Sequence, residues 1–389
     1  MEVQPYPGSR HYPGGPFRTP YDVTAHNLPL TMGVESVAVQ APFAASLKPV
    51  HEPRPPKGEV CRRGSAAAAA YLLRPETNVS ARAINRLLAS GAVVGRARRA
   101  FDIEGAPYAS GTFIVQAESA PGGLVSSVAD EESMTFDVVS DMPGVAQCQL
   151  RVPRVGLYKS FIPTVEEGWT RFVFDQYKFP YTSLLDRDIR GGGLAERFDA
   201  ILLPHQPVRQ LHRGHRRSHY PAAYAGGLGE PGAESLCDFV ERGGSLIAWD
   251  GAARYAIQHL GFPVVDALAG LPEADFFAPG CLLRVHLDTN HPIAYGMPEE
   301  AAAMFVNGPA FKLEPATVIG RYSSENPLLS GWLVGPERVS DKAAAITISV
   351  GRGEAILIGF RPHFRAQARG TYKILFNSLY HSAAEELET

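Results

Sequence analysis

From residue 154 onward the chain alternates short apolar runs with amphipathic stretches. RVGLYKS, DAILLP and SLIAWD are almost entirely apolar at their centres, as strands covered on both faces read. Each leads to a stretch whose apolar residues recur at helical spacing: EEGWTRFVFDQYKF, GAESLCDFVERGG and GAARYAIQHLG. Further strands are predicted at LLRVHLD, TVIGRY, AAAITISV and EAILIGF, and a last helix at GTYKILFNSLYHSAAEEL. This rhythm predicts an α/β domain over residues 154–389 on a doubly wound, mostly parallel, flavodoxin-like sheet. Such sheets take ligands beyond the carboxyl ends of their strands. That rule singles out Glu166, Glu167 and Trp169 after the first strand, and His205 after the second. It also selects Asp250 after the third, and Arg361, His363 and Arg365 after the last.

Residues 58–153 carry a smaller α/β pattern. AAAAAYLL, AVVGRARRAF, GTFIVQAE and MTFDVV read as strands. NVSARAINRLLASG reads as a helix capped by Ser80 and stopped by Gly91, with Ala83, Ile84, Leu87 and Leu88 on its apolar face. A short helix is expected near SSVADEES, and Arg96 to Arg99 are expected to line a solvated strand face. Residues 1–57 are rich in Pro and Gly and predict a connecting segment, with one short strand at MGVESVAV.

Composition narrows the function classes. The 389 residues can bury more than one core, and a net charge of −3 gives no general attraction to nucleic acid or an anionic membrane. No apolar run is long enough to span a bilayer, and the first residues lack the layout of a signal peptide. The four cysteines lie far apart without C-x-x-C spacing, so they predict buried thiols in place of a zinc knuckle or a disulfide framework.

The corner WDG, residues 249–251, occupies the place where α/β hydrolases and amidotransferases lift a nucleophile above the sheet, but no Cys, Ser or Thr stands at its tip. Asp250 is favoured as a cap for the following helix. The alternative is an acid, base or nucleophile assisted by His205 or His363. Glu166 and Glu167 are placed to favour a helix dipole. Trp169 is open to two roles, lining the mouth of the cleft or packing. Arg361, Arg365 and His363 are equally suited to docking a carboxylate or to pairing with Glu166, Glu167 or Asp250. In RQLHRGHRRSHYP, His212, His215 and His219 have metal-like spacing. Gly214, four arginines and the lack of a carboxylate favour a solvated basic loop. Neither a metal nor a cofactor is expected.

The blocks GGPFRTPYDVTAHNLPLTMGV, RVGLYKS, EEGWTRFVFDQYKFPYTSL, GGLGEPGAESLCDFVERGGSLIAWD, HPIAYGMP, NPLLSGWLVG and GRGEAILIGFRPHFRAQARGTYKILFNSLY run through nearly the whole chain. Together they resemble the C-terminal region of bacterial zinc-carboxypeptidase-like proteins, in which a class I glutamine amidotransferase-like domain follows a metallopeptidase domain. The resemblance implies that this sequence normally follows a peptidase domain, that an exported location comes with that upstream domain, and that the partners are such a domain or a peptide or glycan. The peptidase's zinc pair, His-x-x-Glu, does not occur, since no His here has Glu three positions later. The reading is therefore a non-catalytic accessory region, with an independent Asp250 hydrolase as the alternative.

Overall fold

The computed structural model describes residues 10–16, 18, 27–37, 39–62, 65–312 and 317–386. Within the run expected to begin the family resemblance, residues 17 and 19–26 lie outside the described ones. The chain divides into two compact units, one holding 34–150 and the other 151–384 together with the segment before residue 34.

In the smaller unit six of the seven strands of its sheet stand in the order Glu59–Arg62, Thr135–Val139, Ala70–Leu73, Phe113–Gln116, Val94–Ala97, Gln147–Leu150. The first pair is parallel and the rest are antiparallel. The helix expected from NVSARAINRLLASG spans Asn78–Ala89 and buries Ala83, Ile84, Leu87 and Leu88, as its spacing predicts. Its cap position is Thr77, whose hydroxyl meets Ser80, and not Ser80 itself. The second helix, Gly122–Glu132, is anchored to the first through Glu132, which pairs with Arg82 and Arg86. Arg96 departs from the solvated face expected of it. It is buried, and its guanidinium lies over the Phe113 ring at 5.3 Å.

The stretch 32–39 forms no strand among its described residues. A short helix, Leu28–Met32, precedes it and ends at Gly33 in the left-handed region. Of the cysteines, Cys281 is fully buried, while Cys61, Cys148 and Cys237 are only half-buried.

The larger unit is built on β1 (Val155–Tyr158), α1 (Val165–Tyr177), β2 (Thr182–Leu184), β3 (Ala200–Leu203), α2 (Gly229–Glu241), β4 (Ser245–Trp249) and α3 (Gly251–His259). It continues with β5 (Phe277–Leu287), β6 (Glu300–Phe305), β7 (Thr317–Tyr322), β8 (Leu328–Val334), β9 (Ala343–Val350), β10 (Gly353–Ile358) and α4 (Tyr372–Ser382). The sheet order is β2-β1-β3-β4-β10-β9-β7-β5-β6, with β8 on β5. Strands β2, β1, β3, β4 and β10 are parallel. Strands β1, β3 and β4 are buried along their whole length, which is why they read as continuous apolar runs.

The expected mostly parallel sheet holds only for that half. From β10 onward every pairing along the sheet is antiparallel. Strands β9 and β10 are joined by two residues, Gly351 and Arg352, with Gly351 at φ +59°. So short a link can only return the chain antiparallel. The next residue, Gly353, touches the end of α2 so closely that a Cβ would lie 2.3 Å from the carbonyl oxygens of Val240 and Gly244. Gly353→Ala is therefore expected to destabilise the protein by about 1–3 kcal/mol in urea unfolding, because backbone must move to make room.

Candidate functional site

The parallel half of the sheet delivers the candidate residues to one carboxyl edge. Asp250 follows β4 directly with φ 53° and ψ −120°, a conformation that costs an L-residue about 1–3 kcal/mol. The corner thus has the strained strand-to-helix geometry of a nucleophile elbow. Gly251 is required beside it, since a Cβ there would meet the Gln206 carbonyl oxygen at 2.5 Å.

The cap expected of Asp250 is not formed. Its side chain makes no bond to its own helix. Instead Asp250 Oδ2 accepts from Arg361 Nε at 2.7 Å, and Oδ1 lies 3.1 Å from His205 Nδ1. The ring nitrogen of His205 can take over the capping role, because Gly251 N–H points at Nδ1 from 3.1 Å. One proton decides between the two. With Nδ1 bare, His205 caps α3; with Nδ1 protonated, it donates to Asp250.

Arg361 extends the network by donating from Nη1 to Glu166 Oε1 at 3.2 Å. It follows β10 and stands between two carboxylates that are almost wholly buried, Glu166 at 1% exposure and Asp250 at 2%. They share it unequally. Burial pushes Glu166 up, with the Asp250 charge adding to the effect and Arg361 and His205 only partly opposing it. Burial acts on Asp250 in the same direction, but His205 and Arg361 outweigh it and hold the carboxyl below its usual range. Asp250 is the firmer anion of the two.

His363 completes the cluster from a fully buried position. Thr170 Oγ1 donates to the Glu166 carbonyl at 2.7 Å, so at 2.8 Å it must accept from His363 Nε2. The bare Nδ1 then faces Glu166 Oε2 at 4.0 Å. Burial, helped by the nearby Arg361 charge and only partly opposed by a backbone hydrogen bond, lowers the imidazole's pKa to about 4. At neutral pH this ring is uncharged.

Glu167 points elsewhere. It pairs with Arg171 at 3.2 Å and lines a cavity of about 370 Å³ beyond β1, with Lys159, Ser160, Phe161, Pro163, Thr164 and Leu185. Trp169 packs edge-on against Phe172 and does not line that cavity. Arg365, expected among the ligand-binding residues, is exposed and lies over the Phe364 ring at 5.1 Å. Arg365 and Ala366, just after His363, both stand at positive φ. Sequence reasoning missed Thr170, which fixes the His363 tautomer, and the cavity residues Lys159 and Phe161. Lys159 directly follows the first apolar run, the position that the strand-end rule singles out.

The basic loop does not gather its three histidines. His215 stacks on Tyr220 at 3.9 Å and bonds the Phe161 carbonyl, while His219 meets Ser218. His212, on a short helix Val208–Arg213, stacks instead on His259 at 4.0 Å.

No protein-family model and no curated protein matches the chain. Solved structures resembling it include a cytoplasmic protein of Salmonella typhimurium, 11% identical with TM-score 0.39, covering 60% of this chain and 100% of that one. A ThuA-like protein from Bacteroides uniformis is 12% identical with TM-score 0.38, over 60% of this chain and 92% of that one. A β-galactosidase from Bacillus circulans is 10% identical with TM-score 0.37; the match covers 63% of this chain and 33% of the galactosidase's length. Likeness this low transfers no activity.

Proposed function

We propose that the chain is a non-catalytic binding region whose elbow residue has become part of a buried charge network. The observation that carries this reading is Asp250, which faces a guanidinium with one oxygen and an imidazole with the other while 2% exposed. A nucleophile needs a path to substrate, and a carboxylate 2% exposed behind a guanidinium and an imidazole lacks one. The sequence resemblance supports an accessory region of a zinc-carboxypeptidase-like protein with an amidotransferase-like domain, and the missing His-x-x-Glu pair agrees with it.

The cavity beside Glu167 is the ligand site in this reading. It sits beyond the carboxyl end of β1, and Lys159 and Glu167 offer opposite charges beside the apolar Phe161, Pro163 and Leu185. That mixture suits a short peptide or glycan. Binding of a peptide and oligosaccharide panel, read by chemical-shift change or calorimetry, tests it. Phe161→Ala and Glu167→Gln are each expected to weaken a bound member by about tenfold or more. Unchanged affinity in both variants would place the ligand elsewhere.

One observation favours the alternative, a hydrolase using Asp250. The elbow keeps its strained backbone and sets His205 3.1 Å from the carboxylate, the spacing of a base and its orienting acid. In that reading Asp250→Asn abolishes turnover.

A further inference from the structure

We propose that His212, Glu230 and His259 form a site for a divalent transition metal of the zinc class, separate from the elbow network. One ligand atom from each lies within 4.8 Å of the other two. Three helix ends bring them together. His212 is in the last turn of Val208–Arg213, His259 ends α3, and Glu230 opens α2. The bond from Leu228 N–H to the Leu211 carbonyl, 2.8 Å, ties the start of α2 to the short helix and sets Glu230 Oε1 3.6 Å from His212 Nε2. The order His212, Glu230, His259 is unrelated to His-x-x-Glu. The cluster stands at the far end of α3 from Asp250, about 12 Å along a helix of this length.

Two imidazoles and a carboxylate are a zinc donor set that leaves one position for water. His212 Nδ1 is buried with no hydrogen-bond partner among the described residues, so the ring is not held by a bond that metal would have to break there. Two of the three helix ends are C-termini, which favour a cation, and the N-terminus of α2 opposes them only in part. Glu230 is 74% exposed, which leaves a route in from solvent.

Tetrahedral bonds of about 2.0–2.1 Å require ligand atoms about 3.3 Å apart, so coordination draws the three side chains inward. The imidazoles, now stacked with their planes 12° apart, must turn out of the stack to aim lone pairs at one ion. Metal binding is therefore expected to shift the ring proton resonances of both histidines together.

The test is titration of the purified, metal-stripped chain with Zn²⁺ by calorimetry, and with Co²⁺ by its visible absorption. One equivalent is expected to bind. His212→Gln and His259→Gln should each weaken binding by more than about tenfold, and Glu230→Gln by a smaller factor. The double variant His215→Gln/His219→Gln should bind as the wild type does. Circular dichroism and the metal-free unfolding midpoint identify any variant that has failed to fold, and the Co²⁺ spectrum of Glu230→Gln, whose side chain is exposed, provides a reading that does not depend on core packing. Absence of stoichiometric zinc, equal affinity in His259→Gln, or loss confined to the His215/His219 variant would each overturn the proposal.

Discussion

Replacing Arg361 with alanine is expected to destabilise the protein by about 3–5 kcal/mol, the usual cost of stranding a buried charge by removing its partner. The guanidinium contacts Asp250 and Glu166 at once, with both carboxylates almost entirely out of water. Among the described residues the one other basic side chain that meets Asp250 is His205. Lysine cannot replace it fully, because one ammonium on a flexible stem cannot supply the two separate donors Nε and Nη1. The loss should shrink when Arg361→Ala is combined with Asp250→Asn and Glu166→Gln, since no carboxylate is then left unpaired. Urea unfolding of the single, double and triple variants measures this coupling. Additive losses would show that the residues do not form one network.

The second large effect concerns pH. His363 is uncharged in the folded protein down to about pH 4, whereas in the unfolded chain it titrates near its ordinary 6.5. Between those values the unfolded state binds the extra proton, so stability falls as the pH falls. One such group contributes about 3 kcal/mol across the window, fully present above 6.5 and lost toward 4. His363→Gln keeps an N–H for Thr170 but cannot titrate. The difference in unfolding free energy between wild type and variant should therefore narrow steadily from pH 7 to pH 4. Parallel pH profiles for the two proteins would contradict a buried neutral imidazole.

The sequence made the parallel half of the large sheet legible because strands buried on both faces leave uninterrupted apolar runs such as AILL and SLIAW. Strand direction is not encoded in such runs, and the antiparallel half was lost for that reason. The two-residue link at Gly351 and Arg352 was its one local signal. Of the residues after the strand ends, Glu166, His205, Asp250, Arg361 and His363 converge in one network. Their roles were less legible. A carboxylate at a helix start reads as a cap, but Asp250 bonds Arg361, more than a hundred residues away, while His205 meets the first amide of its helix. Arg365 stands outside that network, the first of two successive residues at positive φ that no apolar pattern reports. The cluster of His212, Glu230 and His259 joins three helix ends that are distant in sequence, so spacing within the basic loop could group His212 only with His215 and His219.

The central claim is that Asp250 is a structural anion, and Asp250→Asn tests it most directly when stability and turnover are measured on the same preparations. The variant is expected to lose about 1–3 kcal/mol of stability, since Arg361 and His205 lose a charged partner. The wild-type chain is expected to show no hydrolysis of peptide, amide, glycoside or phosphate ester substrates for the substitution to remove. A wild-type turnover that disappears in a variant of undiminished stability would contradict it.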